Sequence, residues 1–170
     1  MQNELLLIVL LLAILIGEII TSQKGKSKLI NFGIIAFAII TLIGFFHHPE
    51  GALFGGMFHT NALIQLLKNG LNVGVLIVLM QSAGWLKSTL IPQQKSAEYF
   101  MLMISSLIGL NYLVSAGDFL MFFVALELST LPVAALAAYN AYKRQSAEAG
   151  IKLILSATLA SGLALFGISF

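Results

Sequence analysis

Six stretches of this chain are nearly free of charge over the length that a bilayer demands: 4–23, 29–46, 63–86, 98–115, 119–140 and 148–170. A hydrocarbon core of about 30 Å is crossed by roughly 20 apolar residues in a helix. The second run, "LINFGIIAFAIITLIGFF", carries no charge at all. In lipid every backbone donor and acceptor is paired within the protein, which leaves helices and closed barrels as spanning structures. None of the runs alternates strictly in steps of two, as a barrel strand does. The expectation is an all-α polytopic membrane helix bundle of about six transmembrane helices.

Composition agrees. Of 170 residues, 59% are apolar and 9% charged, with a mean hydropathy of +0.97. Soluble domains carry about 25% charged residues, and this chain has too few polar side chains to clothe a soluble core. It has no cysteine, which excludes disulfides, thiolate metal sites and cysteine nucleophiles. The net charge of +2 comes without a basic patch of the size nucleic acid requires. The first run is not a signal peptide: Met1-Gln2-Asn3-Glu4 has no basic start, and "GEIITSQKGK" is no small-residue cleavage site. It reads as a retained first helix. At the other end Phe170 closes the sixth run without a polar stop, which reads as part of a longer chain. There is no internal repeat and no low-complexity segment.

The connections sort by charge. Lys24, Lys26 and Lys28 follow the first run, Lys87 and Lys95 the third, and Lys143 and Arg144 the fifth. The opposite side holds Glu50, Asp118 and three histidines. Basic loops stay in the cytoplasm, so the N-terminus lies outside and the sixth helix returns there. Lys68, early in the third run, is the exception and is expected to snorkel to the outer face. Glu18, near the cytoplasmic end of the first run, reads as an interfacial carboxylate.

Within "FFVALELSTLP" (122–132) a single carboxylate, Glu127, stands in an apolar run. At 1.5 Å per residue it lies about 13 Å below the outer end of its helix, near mid-membrane. A charged residue there costs about 2.5–3.5 kcal/mol. Taking up a proton lowers that cost, so such a carboxylate is a proton-transfer or charge-pairing group, or else an acid held neutral by a hydrogen bond to a neighbouring helix. Pro132 removes the backbone donor that the Leu128 carbonyl would use. Ser129 and Thr130 offer hydroxyls in the same turn, so the kink is expected to support water beside Glu127. Lys152 follows Arg144 and Glu148 at steps of four on one face of the sixth helix. It serves either a proton path or simple snorkelling, and its depth differs from that of Glu127 by about 12 Å, too far for a direct salt bridge.

The histidines of "FFHHPEGALFGGMFHT" lie in a turn-rich loop with Pro49 and Gly51, Gly55 and Gly56, without acidic or thiol partners at metal-binding spacing. "FGG" is too short for a phosphate-binding loop. No nucleophile–base set and no dinucleotide fingerprint occurs, so the chain itself has no redox chemistry and no cofactor site.

Three strings, "ALFGGMFHTNAL", "AEYFMLMISSLIGLNYLVSAGDFLMFFVALELSTLPVAALAAY" and "SAEAGIKLILSATLASGLALFGISF", resemble in order the subunit N family of NADH-quinone oxidoreductase, respiratory complex I. The likeness runs from about residue 53 onward; the first two helices agree only in character. It implies the first part of a roughly fourteen-helix antiporter-like fold, divided here into 1–97 (helices one to three) and 98–170 (helices four to six, opening a proton-translocating half-channel). It implies that Glu127 is the family's helix-five glutamate, paired with a lysine on helix seven, and that Lys152 is its helix-six lysine. Ala134 stands where the family commonly carries a tyrosine. The implied function is that of a multi-pass subunit in the bacterial inner membrane, contributing to proton translocation coupled to electron transfer from NADH to quinone. NADH, flavin, iron–sulfur clusters and quinone would then sit in other subunits, and the partners would be the other membrane subunits. The alternatives are a subunit of a related cation/proton antiporter or membrane-bound hydrogenase, and a structural or assembly subunit without a proton role.

Overall fold

The computed structural model describes residues 2–20, 26–46, 51–88, 96–140 and 143–170. Lys24, His47, His48, Pro49, Glu50 and Lys95 lie outside the described residues, as do the side chains of Lys26, Lys28 and Lys87. Six helices follow in order: α1 (Gln2–Ile20), α2 (Lys26–Phe46), α3 (Ala62–Ser88), α4 (Ser96–Val114), α5 (Phe119–Ala137) and α6 (Arg144–Ile168). Each matches its apolar run to within four residues at either end. All six are long and apolar enough to cross a membrane. The chain is a multi-pass membrane protein.

α4 is the central helix and packs against α1, α2, α3 and α5. Its buried residues Phe100, Ile104, Leu107, Ile108 and Asn111 recur at steps of three and four, the spacing of one helix face. Leu7, Leu10 and Ile14 of α1, Phe37 of α2 and Leu79 of α3 meet that face. Between membrane helices, association depends on close packing rather than on expelling water, so small residues mark the tightest contacts. Gly109 of α4 is one: a Cβ there would stand 2.4 Å from the Ser129 nitrogen of α5. Gly150 of α6 is another, with its missing Cβ 2.5 Å from that of Ala138 and 3.2 Å from the Ala134 carbonyl. Ala134 is itself buried in this seam.

The turn-rich loop contains a hairpin that the sequence did not announce. β1 (Gly51–Leu53) pairs antiparallel with β2 (Phe58–Thr60), with Ala52 opposite His59. Between them Phe54, Gly55 and Gly56 all take positive φ, which the two glycines adopt without strain. The hairpin is fastened over the α4–α5 turn. His59 N donates to the Ser115 carbonyl at 2.9 Å, and Gly117 N donates to the Met57 carbonyl at 2.8 Å. A Cβ at Gly117 would lie 2.2 Å from the Gly56 carbonyl oxygen, so the approach requires glycine.

Candidate functional site: intramembrane charges

Glu127 is the ninth residue of the 19-residue α5, and its side chain is partly buried. Among the described residues it has no salt bridge. Five residues on, Pro132 lies inside the helix, which runs to Ala137. The hydroxyls expected to serve the freed Leu128 carbonyl turn elsewhere. Ser129 Oγ donates to the Leu126 carbonyl at 2.8 Å, and Thr130 Oγ1 donates to the carbonyls of Leu126 at 3.0 Å and Glu127 at 3.4 Å. Both are back-bonds within the helix, of the kind that loosens the ladder and favours a bend. Ser106 Oγ of α4 donates to the Ser129 carbonyl at 2.9 Å, tying this turn of α5 to the central helix. A cavity of about 230 Å³ opens beside it, lined by Ser106, Leu110, Ser129, Thr130, Val133, Leu153 and Ala157. α4, α5 and α6 thus meet around three hydroxyls one turn from Glu127.

Lys152 does not join this group. Its ammonium meets Glu148 Oε1 at 2.6 Å, one turn earlier on α6, and both side chains are exposed. Among the described residues no ion pair joins Lys152 to Glu127. Lys143 and Arg144 are exposed at the start of α6.

Lys68 is the correction. It does not snorkel: it is buried at 1% exposure and bonded through Nζ to Oε1 of Glu4, which is buried to the same degree. Nζ also lies 4.6 Å from the centroid of the Phe58 ring, a cation–π contact made by the hairpin. A bare ammonium in an apolar medium is expensive, and here the carboxylate on α1 and the ring on β2 remove the need to reach water. Around the pair, Gln65 Nε2 and Asn69 Nδ2 both donate to the Gly44 carbonyl of α2, at 3.2 and 3.1 Å. Gly44 permits this, since a Cβ there would stand 2.9 Å from Asn69 Oδ1 and 3.0 Å from Asn3 Nδ2. Gln65, Lys68, Asn69 and Asn72 are all buried. Their spacing of i, i+3, i+4, i+7 in "QLLKNGLN" was available in the sequence as a polar helical face on an apolar span. Glu4 carried no such signal, because at a helix start it passes for a solvated residue.

At the opposite end of the bundle, beyond α5, burial pushes the Tyr139 phenol well above the ordinary tyrosine range, and the carboxylates of Glu98 and Glu18 push the same way. Its ring packs edge-on against Tyr99, with centroids 5.5 Å apart.

A family described as "NADH:quinone oxidoreductase/Mrp antiporter, TM" matches residues 116–170, which hold Glu127, Pro132 and Lys152. Among individual relatives, NADH-quinone oxidoreductase subunit N of Phocaeicola vulgatus is 47% identical over 120 residues, covering 71% of this chain and 25% of that protein. The chain belongs to the subunit N family. Subunit N of Azobacteroides pseudotrichonymphae is 34% identical over 99% of this chain and 35% of its own length. The chain therefore spans about a quarter to a third of the subunit N proteins it matches. In fold it superimposes, with a TM-score of 0.77 and 20% identity, on a chain of "Respiratory complex I from Thermus thermophilus with bound Aureothin", covering 98% of this chain and 35% of that one. The subunit N likeness thus extends to α1 and α2, where the sequence alone offered only general character.

Proposed function

We propose that this chain works in the membrane arm of a bacterial inner-membrane NADH-quinone oxidoreductase, where it contributes to proton translocation coupled to electron transfer from NADH to quinone. The observation that carries the reading is Glu127: a carboxylate midway along a membrane helix that carries Pro132 in its interior, with Ser129 and Thr130 of the following turn lining a cavity. An ionisable group at that depth is costly to insert and ordinarily marks an ion or proton pathway. Proton transfer also needs a polar neighbourhood that changes state, and a back-bonded bend is easier to reshape than a straight helix. In this reading Glu127 holds a proton or pairs with a cation from the rest of the assembly, and separation of that pair releases the proton. Ser129, Thr130 and Pro132 position the bend and hold water there. Lys152, displaced from Glu148, accepts or relays charge along α6. NADH, flavin, iron–sulfur clusters and quinone belong to other subunits, and the partners are the neighbouring membrane subunits. The basic loops place the N-terminus on the outer side.

The test is Glu127→Ala in the intact assembly, with NADH oxidation and proton uptake measured in the same vesicles. Loss of pumping with normal assembly is expected. Unimpaired pumping with normal assembly would overturn the proton role and leave a structural subunit. A second reading, a cation/proton antiporter subunit, draws on the matched family's description, which joins both activities. A sodium requirement, with no NADH oxidation in the purified assembly, would favour it.

A further inference from the structure

The polar face of α3 contains more hydrogen-bonding capacity than the protein itself satisfies. Asn111 Nδ2 of α4 donates to Asn72 Oδ1 at 3.4 Å, a long bond that leaves Asn72 Nδ2 and Asn111 Oδ1 without partners among the described residues. Ser115 Oγ, four residues on in the α4–α5 turn, and Asn69 Oδ1 are likewise unpartnered among the described residues. Asn72, Asn111 and Ser115 are each 1% exposed, so bulk solvent does not reach them. A buried donor or acceptor left without a partner loses its hydration with nothing in return. Asn72 is one turn from Lys68 on α3, and Asn111 and Ser115 flank Tyr112 on α4. The titratable groups of this region are Glu4 from α1, Lys68 from α3 and Tyr112 from α4; His59 on the hairpin is exposed.

We propose that Asn72, Asn111 and Ser115 hold bound water beside the Glu4–Lys68 pair, forming a hydrated ion-pair site that exchanges with the outside and is separate from Glu127. One water bonds to the Asn pair in both senses, accepting from Asn72 Nδ2 and donating to Asn111 Oδ1. A buried water ordinarily makes about three such bonds to groups otherwise left unsatisfied, and Ser115 Oγ, four residues after Asn111 just past the end of α4, supplies another partner. Wholly apolar surroundings would stay dry, whereas an amide donor, an amide acceptor and a hydroxyl left unpaired together call for water. The water adds solvation to the buried Glu4–Lys68 pair and gives the pair's protons a route of exchange.

Radiolytic hydroxyl labelling of the protein in its native membrane assembly tests this, because radicals formed from bound water mark the aromatic side chains beside it. The experiment needs no turnover, so it is independent of whether the chain translocates protons. Phe37 is the internal control, fully buried in the apolar core. Phe58 and Tyr112, whose rings pack 6.1 Å apart, are the reporters. The expected result is labelling of Phe58 and Tyr112 with none at Phe37, and ¹⁸O in the product when H₂¹⁸O is mixed in before the pulse. Labelling of Phe58 and Tyr112 as weak as that of Phe37 would overturn the site. Asn72→Leu combined with Asn111→Leu removes the amide partners without touching the ion pair, and is expected to abolish labelling at Tyr112. Undiminished labelling in that variant, with the assembly intact, would mean the reporters see bulk water and would also overturn it. Label at both rings without ¹⁸O would reject the exchange with the outside.

Discussion

Two intramembrane carboxylates of this chain have opposite surroundings. Glu4 is sealed, with its cation Lys68 already in place and an aromatic ring closing the pair. Glu127 is half open, with no cation among the described residues and a polar bend beside it. The elements follow suit. α4, behind the sealed pair, has the largest buried share of any span, 44%, whereas α6 has 6%. The contrast separates two uses of charge in a membrane. A pair completed inside one bundle fixes which helices meet, because no other arrangement satisfies both ions. A carboxylate left open at a loosened helix is free to change partner or protonation state.

If that contrast is right, stability and function respond at different places. The largest effect is expected for Lys68→Ala, which strands a buried carboxylate and should destabilise the bundle by about 3–5 kcal/mol. Reversible unfolding in mixed micelles measures it. Glu4→Met with Lys68→Met should recover most of the loss, since a buried pair replaced by packed apolar groups is often neutral. If the single variant proves as stable as the parent, the sealed pair is not a structural lock. Gly109→Leu comes next. It drives a side chain into the α5 backbone, where even a Cβ has no room, and overpacking of this sort costs about 1–3 kcal/mol. The same unfolding measurement applies, and a variant as stable as the parent would mean that α5 can move away from α4 freely.

Glu127→Gln sharpens the other side. Its cost to stability is expected to stay below about 1 kcal/mol, while proton transfer by the assembly falls. A large stability loss without a transfer defect would move Glu127 into the class of Glu4. Lys152→Gln should be smallest, below about 0.5 kcal/mol by unfolding, because the bond it breaks joins two exposed side chains. A clear effect on pumping from that change would place Lys152 in the path, and none would leave it an interfacial cation.

Much of the fold was legible because a bilayer imposes length and apolarity on each span separately. The six runs, the mid-helix position of Glu127 and the bend-forming proline are properties of short consecutive strings. The close approaches at Gly109 and Gly150 were not legible: a glycine in an apolar span does not say which neighbour its missing Cβ admits. The hydroxyls of Ser129 and Thr130 were found, but not their acceptors. A freed carbonyl at Leu128 is a local inference, whereas the bonds to Leu126 and Glu127 depend on the rotamers that packing against α4 permits.

What the sequence determined by itself, then, is the number and nature of the spans, the sorting of basic loops, and the fact that charge sits where lipid makes it costly. Tertiary structure alone decided which charges are satisfied. Lys68 looked like a side chain reaching for water because lipid and protein interior are equally apolar, so an apolar span does not say which of its faces points inward. Its partner lies 64 residues away on another helix. Only the meeting of α1, α3 and the hairpin turned a snorkelling lysine into a buried ion pair.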